Sequence, residues 1–159
     1  KANKEVKIGL IPCAVGGTPI RRWQQNGDLY KAALKRAKLA QKDGEIKGIL
    51  WHQGENDSGK EETAKIYETQ LHAMVAAWRK DLGGGNIPIV VGEMGRFYKR
   101  AKFKHLVDAA LKALPSKMKH AAWVSAEGLE HKGDVVHFNA AGYRELGKRY
   151  AAKMQALVK

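Results

Sequence analysis

The sequence, 159 residues long, predicts an α/β domain: a parallel sheet covered on both faces by helices. Three observations carry that expectation. Short apolar runs alternate with longer segments of helical periodicity, the pattern left by strands joined through helical crossovers. The length suits one domain with a sizeable core, so residues 1–159 read as a single domain. Each segment rich in chemically active side chains follows an apolar run, as expected where ligands bind beyond the carboxyl ends of parallel strands.

The elements follow in order from local chemistry. Residues 6–11 are an apolar run that reads as a buried strand, and Pro12 ends its pairing because it has no N–H to donate. Asp28 is placed to cap a helix through about residue 42. Residues 46–51 form the second apolar run. Ser58 or Gly59 opens a helix to about residue 80, in which Ile66, Leu71, Met74, Val75 and Trp78 make one apolar stripe. Gly83, Gly84, Gly85 and Asn86 form a turn into a third strand at 87–91. Residues 99–114 are helical and Pro115 stops them. Residues 121–125 are a short fourth strand, and Asn139 caps a last helix to about residue 158. No internal repeat, low-complexity segment or linker divides the chain.

Hydrophobic residues make up 44% of the chain, a globular rather than a disordered composition. No apolar run is long enough to span a bilayer and no leader of signal-peptide type is present, so no membrane partner is expected. The first residue is Lys1 rather than Met; the chain reads as a processed, tagged or truncated product, from which a leader can have been lost. Lys and Arg total 29 against 16 Asp and Glu, a formal net charge of +13. That charge suits a polyanionic partner. The lysines are scattered over solvated helix faces, however, as at Lys31, Lys35 and Lys38, and no nucleic-acid motif accompanies them, so no nucleic acid is expected. The single Cys13 excludes an internal disulfide and, at the end of an apolar strand, reads as a buried structural thiol.

Three segments carry the chemistry. Asp134 and His137 lie within one turn of chain before a helix. That spacing lets a carboxylate reach one imidazole nitrogen and leaves the other to face a substrate or nucleophile, the orienter and base of a hydrolytic triad. An Asx turn beside an exposed histidine is the plainer reading of the same spacing. His131, Asp134 and His137 are also evenly spaced, but no further Cys or His completes a metal site, and no metal or other cofactor is expected. In the second segment, after the strand at 46–51, Gln53 and Asn56 can donate N–H to a developing oxyanion, Gly54 permits close backbone approach, and Glu55 can act as a second acid toward His137. Helix capping by Asn56, Asp57 or Ser58 competes with those roles, and Trp51 can simply pack in the core. In the third, Gly16 and Gly17 expose backbone N–H groups that suit an oxyanion, or form only a tight turn. Glu93, Arg96 and Phe97 can line a substrate groove.

Taken together, Ile8-Gly9-Leu10-Ile11-Pro12-Cys13-Ala14-Val15-Gly16-Gly17-Thr18-Pro19-Ile20, Trp51-His52-Gln53-Gly54-Glu55-Asn56-Asp57 and Asp134-Val135-Val136-His137 resemble successive blocks of the SGNH (GDSL-like) hydrolases. The resemblance is to the branch of sialate O-acetylesterases and acetylxylan esterases, carbohydrate esterase family six. It implies a three-layer α/β/α sandwich of flavodoxin-like kind and metal-free deacetylation of an acetylated carbohydrate through an acyl-enzyme. His137 would be the general base, set by Asp134 or by Glu55. Backbone N–H near Gly16 or Gly17, with the side chain of Gln53 or Asn56, would form the oxyanion hole. A secreted or periplasmic location goes with the family.

One departure from the pattern is large. The family's nucleophilic serine lies in a Gly-Gln-Ser-Asn type block after the first strand, and this chain has no such block. Its serines are Ser58, Ser116 and Ser125, none in that setting. The sequence therefore predicts a sheet lacking its first strand, with strand and nucleophile supplied by another chain or segment. An inactive or glycan-binding remnant, and an esterase for a non-sugar ester, are the competing readings.

Overall fold

The computed structural model describes residues 5–158. Three strands, β1 (Ile49–Trp51), β2 (Ile89–Gly92) and β3 (Ala121–Val124), form a parallel sheet in the order β1-β2-β3. Four helices accompany them: α1 (Asp28–Ala40), α2 (Glu61–Leu82), α3 (Lys104–Lys117) and α4 (Ala140–Leu157). Two 3-10 turns, Ile20–Trp23 and Asp57–Gly59, precede α1 and α2.

Successive side chains of a strand point to opposite faces, and this divides the core into two. Ile89 and Val91 pack on one face with Leu71, Met74 and Val75 of α2 and Val107, Leu111 and Leu114 of α3. Val90, Ala122 and Val124 pack on the other face with Leu146 and Tyr150 of α4. Ile89, Val90 and Val91 are all fully buried, as the central strand of a doubly covered parallel sheet requires. The result is the expected α/β/α layering. Arg79 fastens the opposite end of the sheet: its buried guanidinium donates to the carbonyls of Ile87, Lys119 and His120, each at 2.9 Å.

The helix ends at Gly83 and Asn139 form as the sequence predicts. Gly83 closes α2 in the left-handed region at φ 100°. The Asn139 carboxamide oxygen accepts from the Gly142 N–H at 2.7 Å and caps α4. Asn139→Ala is expected to lower stability by about 1 kcal/mol, read as a lower urea midpoint at unchanged slope.

Elsewhere the structure corrects the sequence. Residues 6–11 are not a strand: Val6, Ile8 and Leu10 are 58%, 83% and 81% exposed. A strand exists only by pairing, and nothing among the described residues pairs with this one. Cys13 accordingly ends no strand; it is half-buried, and burial pushes its thiol pKa up, away from the reactive thiolate. Asp28 does not cap α1. Gly27 takes that position, and the Asp28 carboxylate pairs with the Arg22 guanidinium instead. Neither Ser58 nor Gly59 opens α2, because both lie in the 3-10 turn, where the Ser58 hydroxyl donates to the Glu55 carbonyl at 2.9 Å. Pro115 does not stop the third helix, which starts at Lys104 and runs to Lys117. Placed in the last turn, the proline removes one hydrogen bond where the helix is about to end anyway.

Candidate active site

The loop between β3 and α4 is closed at its base by the Asn139 N–H on the Glu130 carbonyl at 2.9 Å and the Lys132 N–H on the His137 carbonyl at 3.0 Å. At its tip, one oxygen of Asp134 accepts from the backbone N–H of Val136 at 2.9 Å and of His137 at 2.8 Å. The other lies 2.6 Å from His137 Nδ1. The imidazole contact first, and the two backbone donors after it, hold the Asp134 carboxyl well below the usual carboxylate range. The His137 side chain is 56% exposed, and its Nε2 has no hydrogen-bond partner among the described residues. The loop reaches this geometry under strain: Val135 sits at φ 54°, which for a β-branched residue costs on the order of 1–3 kcal/mol.

A pH dependence follows for this loop. A carboxyl whose folded pKa lies below its unfolded value of about 4 contributes stability present above that value and lost as pH falls through the folded one. The amides of residues 133–137 are expected to keep their hydrogen-exchange protection at pH values where free carboxylates are already protonated, and to lose it in stronger acid. Loss coinciding with ordinary carboxylate titration would contradict the pairing.

The second predicted segment meets the third, but not with all its donors free. Both N–H groups of the Gln53 carboxamide are engaged, one on the Thr18 carbonyl at 2.9 Å and one on Asp57 Oδ2 at 2.6 Å. Asn56 gives one N–H to the Gly17 carbonyl at 3.0 Å and keeps the other. Asp57, 2% exposed, also accepts from the Ile20 N–H at 2.9 Å, and burial pushes its carboxyl pKa up. Residues 17–20 are thereby tied to residues 53–57. The amides of Gly16 and Gly17 bond to nothing among the described residues, and Gly17 adopts φ 69°, the left-handed turn that favours glycine.

Aromatic rings join these segments to the Asp134 loop. His52 Nδ1 lies 3.2 Å from the Tyr150 hydroxyl, which donates to the Trp51 carbonyl at 2.7 Å. The crowded setting pushes the His52 pKa down. The His52 ring meets Phe138 edge-on at 5.7 Å, and Phe97 meets both Phe138, at 5.1 Å, and His131, at 5.3 Å. Glu55 forms no hydrogen bond with His137 among the described residues; its charge raises the pKa values of Tyr98 and Tyr143 instead, behind the larger effect of burial. Glu93 accepts from the Ala126 N–H at 2.7 Å, Ser125 Oγ at 2.9 Å and Arg96 Nε at 3.0 Å, a brace between the ends of β2 and β3. The hydroxyls of Ser58, Ser116 and Ser125 donate to the Glu55 carbonyl, the Ala113 carbonyl and Glu93. None reaches His137.

Three participants were not singled out from the sequence: Tyr150, Asp57 as a buried tie, and His131, whose Nδ1 accepts from the Gly133 N–H at 2.9 Å. Tyr150 had a visible signal, four residues after Leu146 on the apolar stripe of α4. The other two act through contacts across or within loops, which spacing does not reveal. Among the described residues, no group of three or more His, Cys, Asp or Glu side chains is placed to hold a metal ion. No described helix is long and apolar enough to cross a membrane.

A three-layer α/β/α fold carrying the Asp134–His137 pair in the loop between β3 and α4 is the setting in which comparison with known proteins finds a family of esterases. The chain belongs to the family of carbohydrate esterases described as sialic acid-specific acetylesterases, whose family model matches residues 1–156. It is 33% identical over 142 residues to the Probable carbohydrate esterase At4g34215 of Arabidopsis thaliana, an alignment covering 88% of this chain and 52% of the relative. The X-ray structure of that Arabidopsis thaliana protein superimposes with a TM-score of 0.84 at 29% identity, over 91% of this chain and 59% of the other. The chain thus spans about half the length of the curated relative it matches.

Proposed function

We propose that this chain is the C-terminal portion of an SGNH-type carbohydrate O-acetylesterase, whose serine nucleophile is carried by a segment or chain outside these 159 residues. The observation that carries the reading is the Asp134–His137 pair: the acid at 2.6 Å from Nδ1 of an exposed imidazole whose Nε2 has no hydrogen-bond partner among the described residues. In the reaction it supports, His137 Nε2 takes the proton of the serine hydroxyl as its oxygen bonds to the acetyl carbonyl carbon. The carbonyl oxygen gains negative charge, held by the amides of Gly16 and Gly17 and the remaining N–H of Asn56. Collapse breaks the ester C–O bond, and the imidazolium returns its proton to the leaving sugar oxygen. Water then repeats the cycle on the acyl-enzyme, releasing acetate. Asp134 holds the ring in orientation and stabilises the imidazolium throughout.

The sheet supports the external origin of the nucleophile. Among the described residues the outer edge of β1 is unpaired, and Leu50 in its middle is 54% exposed. Val6, Ile8 and Leu10, which form no strand here, are exposed as well, so apolar side chains that a complete sheet and its covering layers would bury are left in solvent. A secreted or periplasmic location belongs to the same reading.

The test is an aryl acetate assay on the 159-residue chain. No turnover above buffer is expected, because among the described residues no hydroxyl hydrogen-bonds to His137. Measurable turnover that disappears in His137→Ala would overturn the external nucleophile.

A further inference from the structure

The loop that carries Asp134 contains an acceptor that the proposed chemistry does not use. The backbone N–H groups on either side of Asp134, those of Gly133 and Val135, both point at His131 Nδ1, at 2.9 and 3.4 Å. The next two, of Val136 and His137, point at Asp134 itself. Four N–H groups of one tight loop are therefore satisfied by two side chains, and the strained Val135 at φ 54° lies between them. Such a backbone persists only where its surroundings over-determine it. The His131 ring is fixed in turn, by the edge of Phe97 at 5.3 Å and by the bridge pairing His131 with Phe138. Only the tautomer with its proton on Nε2 can accept at Nδ1.

We propose that His131, with Nδ1 unprotonated, is a positioning residue: its ring nitrogen holds the strained loop that presents Asp134 to His137. The role is one of geometry. His131 touches neither the proposed nucleophile nor the ester. It gathers the amides flanking Asp134 so that the carboxylate can serve Val136, His137 and the imidazole at once. Without that acceptor, Val135 relaxes out of the left-handed region and the carboxylate swings away from Nδ1. The catalytic importance of the pair rests on the function proposed above, but the loop geometry does not. The test therefore reads geometry rather than turnover, and failure of one idea is distinguishable from failure of the other.

The experiment is NMR on the protein and two variants. In the unsubstituted protein, long-range proton–nitrogen spectra are expected to show His131 protonated on Nε2 near neutral pH; a proton on Nδ1 overturns the proposal outright. His131→Phe keeps a ring against Phe97 and removes the acceptor. His131→Asn restores a short acceptor for the Gly133 N–H in the geometry of an Asx turn. In His131→Phe the Asp134 carboxyl is expected to titrate higher by about one pH unit or more, and the downfield proton shared by Asp134 and His137 Nδ1 is expected to vanish. Exchange of the Gly133 and Val135 amides is expected to quicken about tenfold or more. His131→Asn is expected to return most of all three signals. Faster exchange with an unmoved Asp134 titration and an intact downfield proton would make His131 a structural cap only, and the proposal would fall. Should His131→Phe not fold, the tautomer and the Asn variant decide, since an Asn variant without the downfield proton contradicts the role.

Discussion

His137→Ala is expected to lower kcat for an acetyl ester by about 10⁴-fold in protein that carries the serine-bearing segment, with KM changed far less. Among the described residues the His137 imidazole, 56% exposed, is the one whose Nδ1 is fixed 2.6 Å from a carboxylate while Nε2 keeps no partner and can take a proton and return it. Its removal leaves only the oxyanion donors and substrate binding. Asp134→Asn is expected to fall short of that loss, because an amide oxygen still accepts from the Val136 and His137 amides yet cannot stabilise an imidazolium. Steady-state kinetics of the two variants check the order. Equal activity of His137→Ala and the parent would remove the residue from the mechanism.

Gly54→Ala is expected to destabilise the fold by about 3 kcal/mol, from overpacking together with backbone strain. A β-carbon there would lie 2.8 Å from Val107 Cγ1 and 2.9 Å from Met94 Sδ, both fully buried, and Gly54 adopts φ 156°. Val107 belongs to α3 and Met94 to the segment after β2, so the clash falls where three elements converge. The same glycine lies between Gln53 on one side and Asn56 and Asp57 on the other, and a shift there displaces the ties to residues 17–20. For a domain of this size the change corresponds to a Tm lowered by about 6–12 °C, measured by calorimetry. A shift under about 2 °C would show that Met94 yields freely and that close packing at Gly54 is not needed.

The parts of the fold legible in the sequence are those decided locally. The Asn139 cap and the turn begun at Gly83 depend on residues within a turn or two and form as read; of the stripe on α2, Leu71, Met74, Val75 and Trp78 are buried as read while Ile66 is 49% exposed. Pairing across the sheet is not local. Residues 6–11 have the composition of a strand, yet lie exposed because composition does not supply a partner. Asp28 shows a competition that a preference scale does not rank: the Arg22 guanidinium six residues earlier takes the carboxylate that would otherwise cap the helix. At the site, the spacing of Asp134 and His137 was enough to foresee their contact. Gln53 bonds to the Thr18 carbonyl and Asn56 to the Gly17 carbonyl, so which of their N–H groups remain free depends on carbonyls 35 and 39 residues away in sequence, which spacing does not reveal. The choice between Asp134 and Glu55 as partner of His137 was open for the same reason.

The most direct test of the central claim is covalent labelling of the protein in its native source with a fluorophosphonate, followed by peptide mapping of the labelled serine. A label is expected on a serine outside these 159 residues, in material whose labelling is lost when His137 is replaced by alanine. A label on Ser58, Ser116 or Ser125 would contradict it, because the nucleophile would then lie within the chain whose hydroxyls the structure turns away from His137.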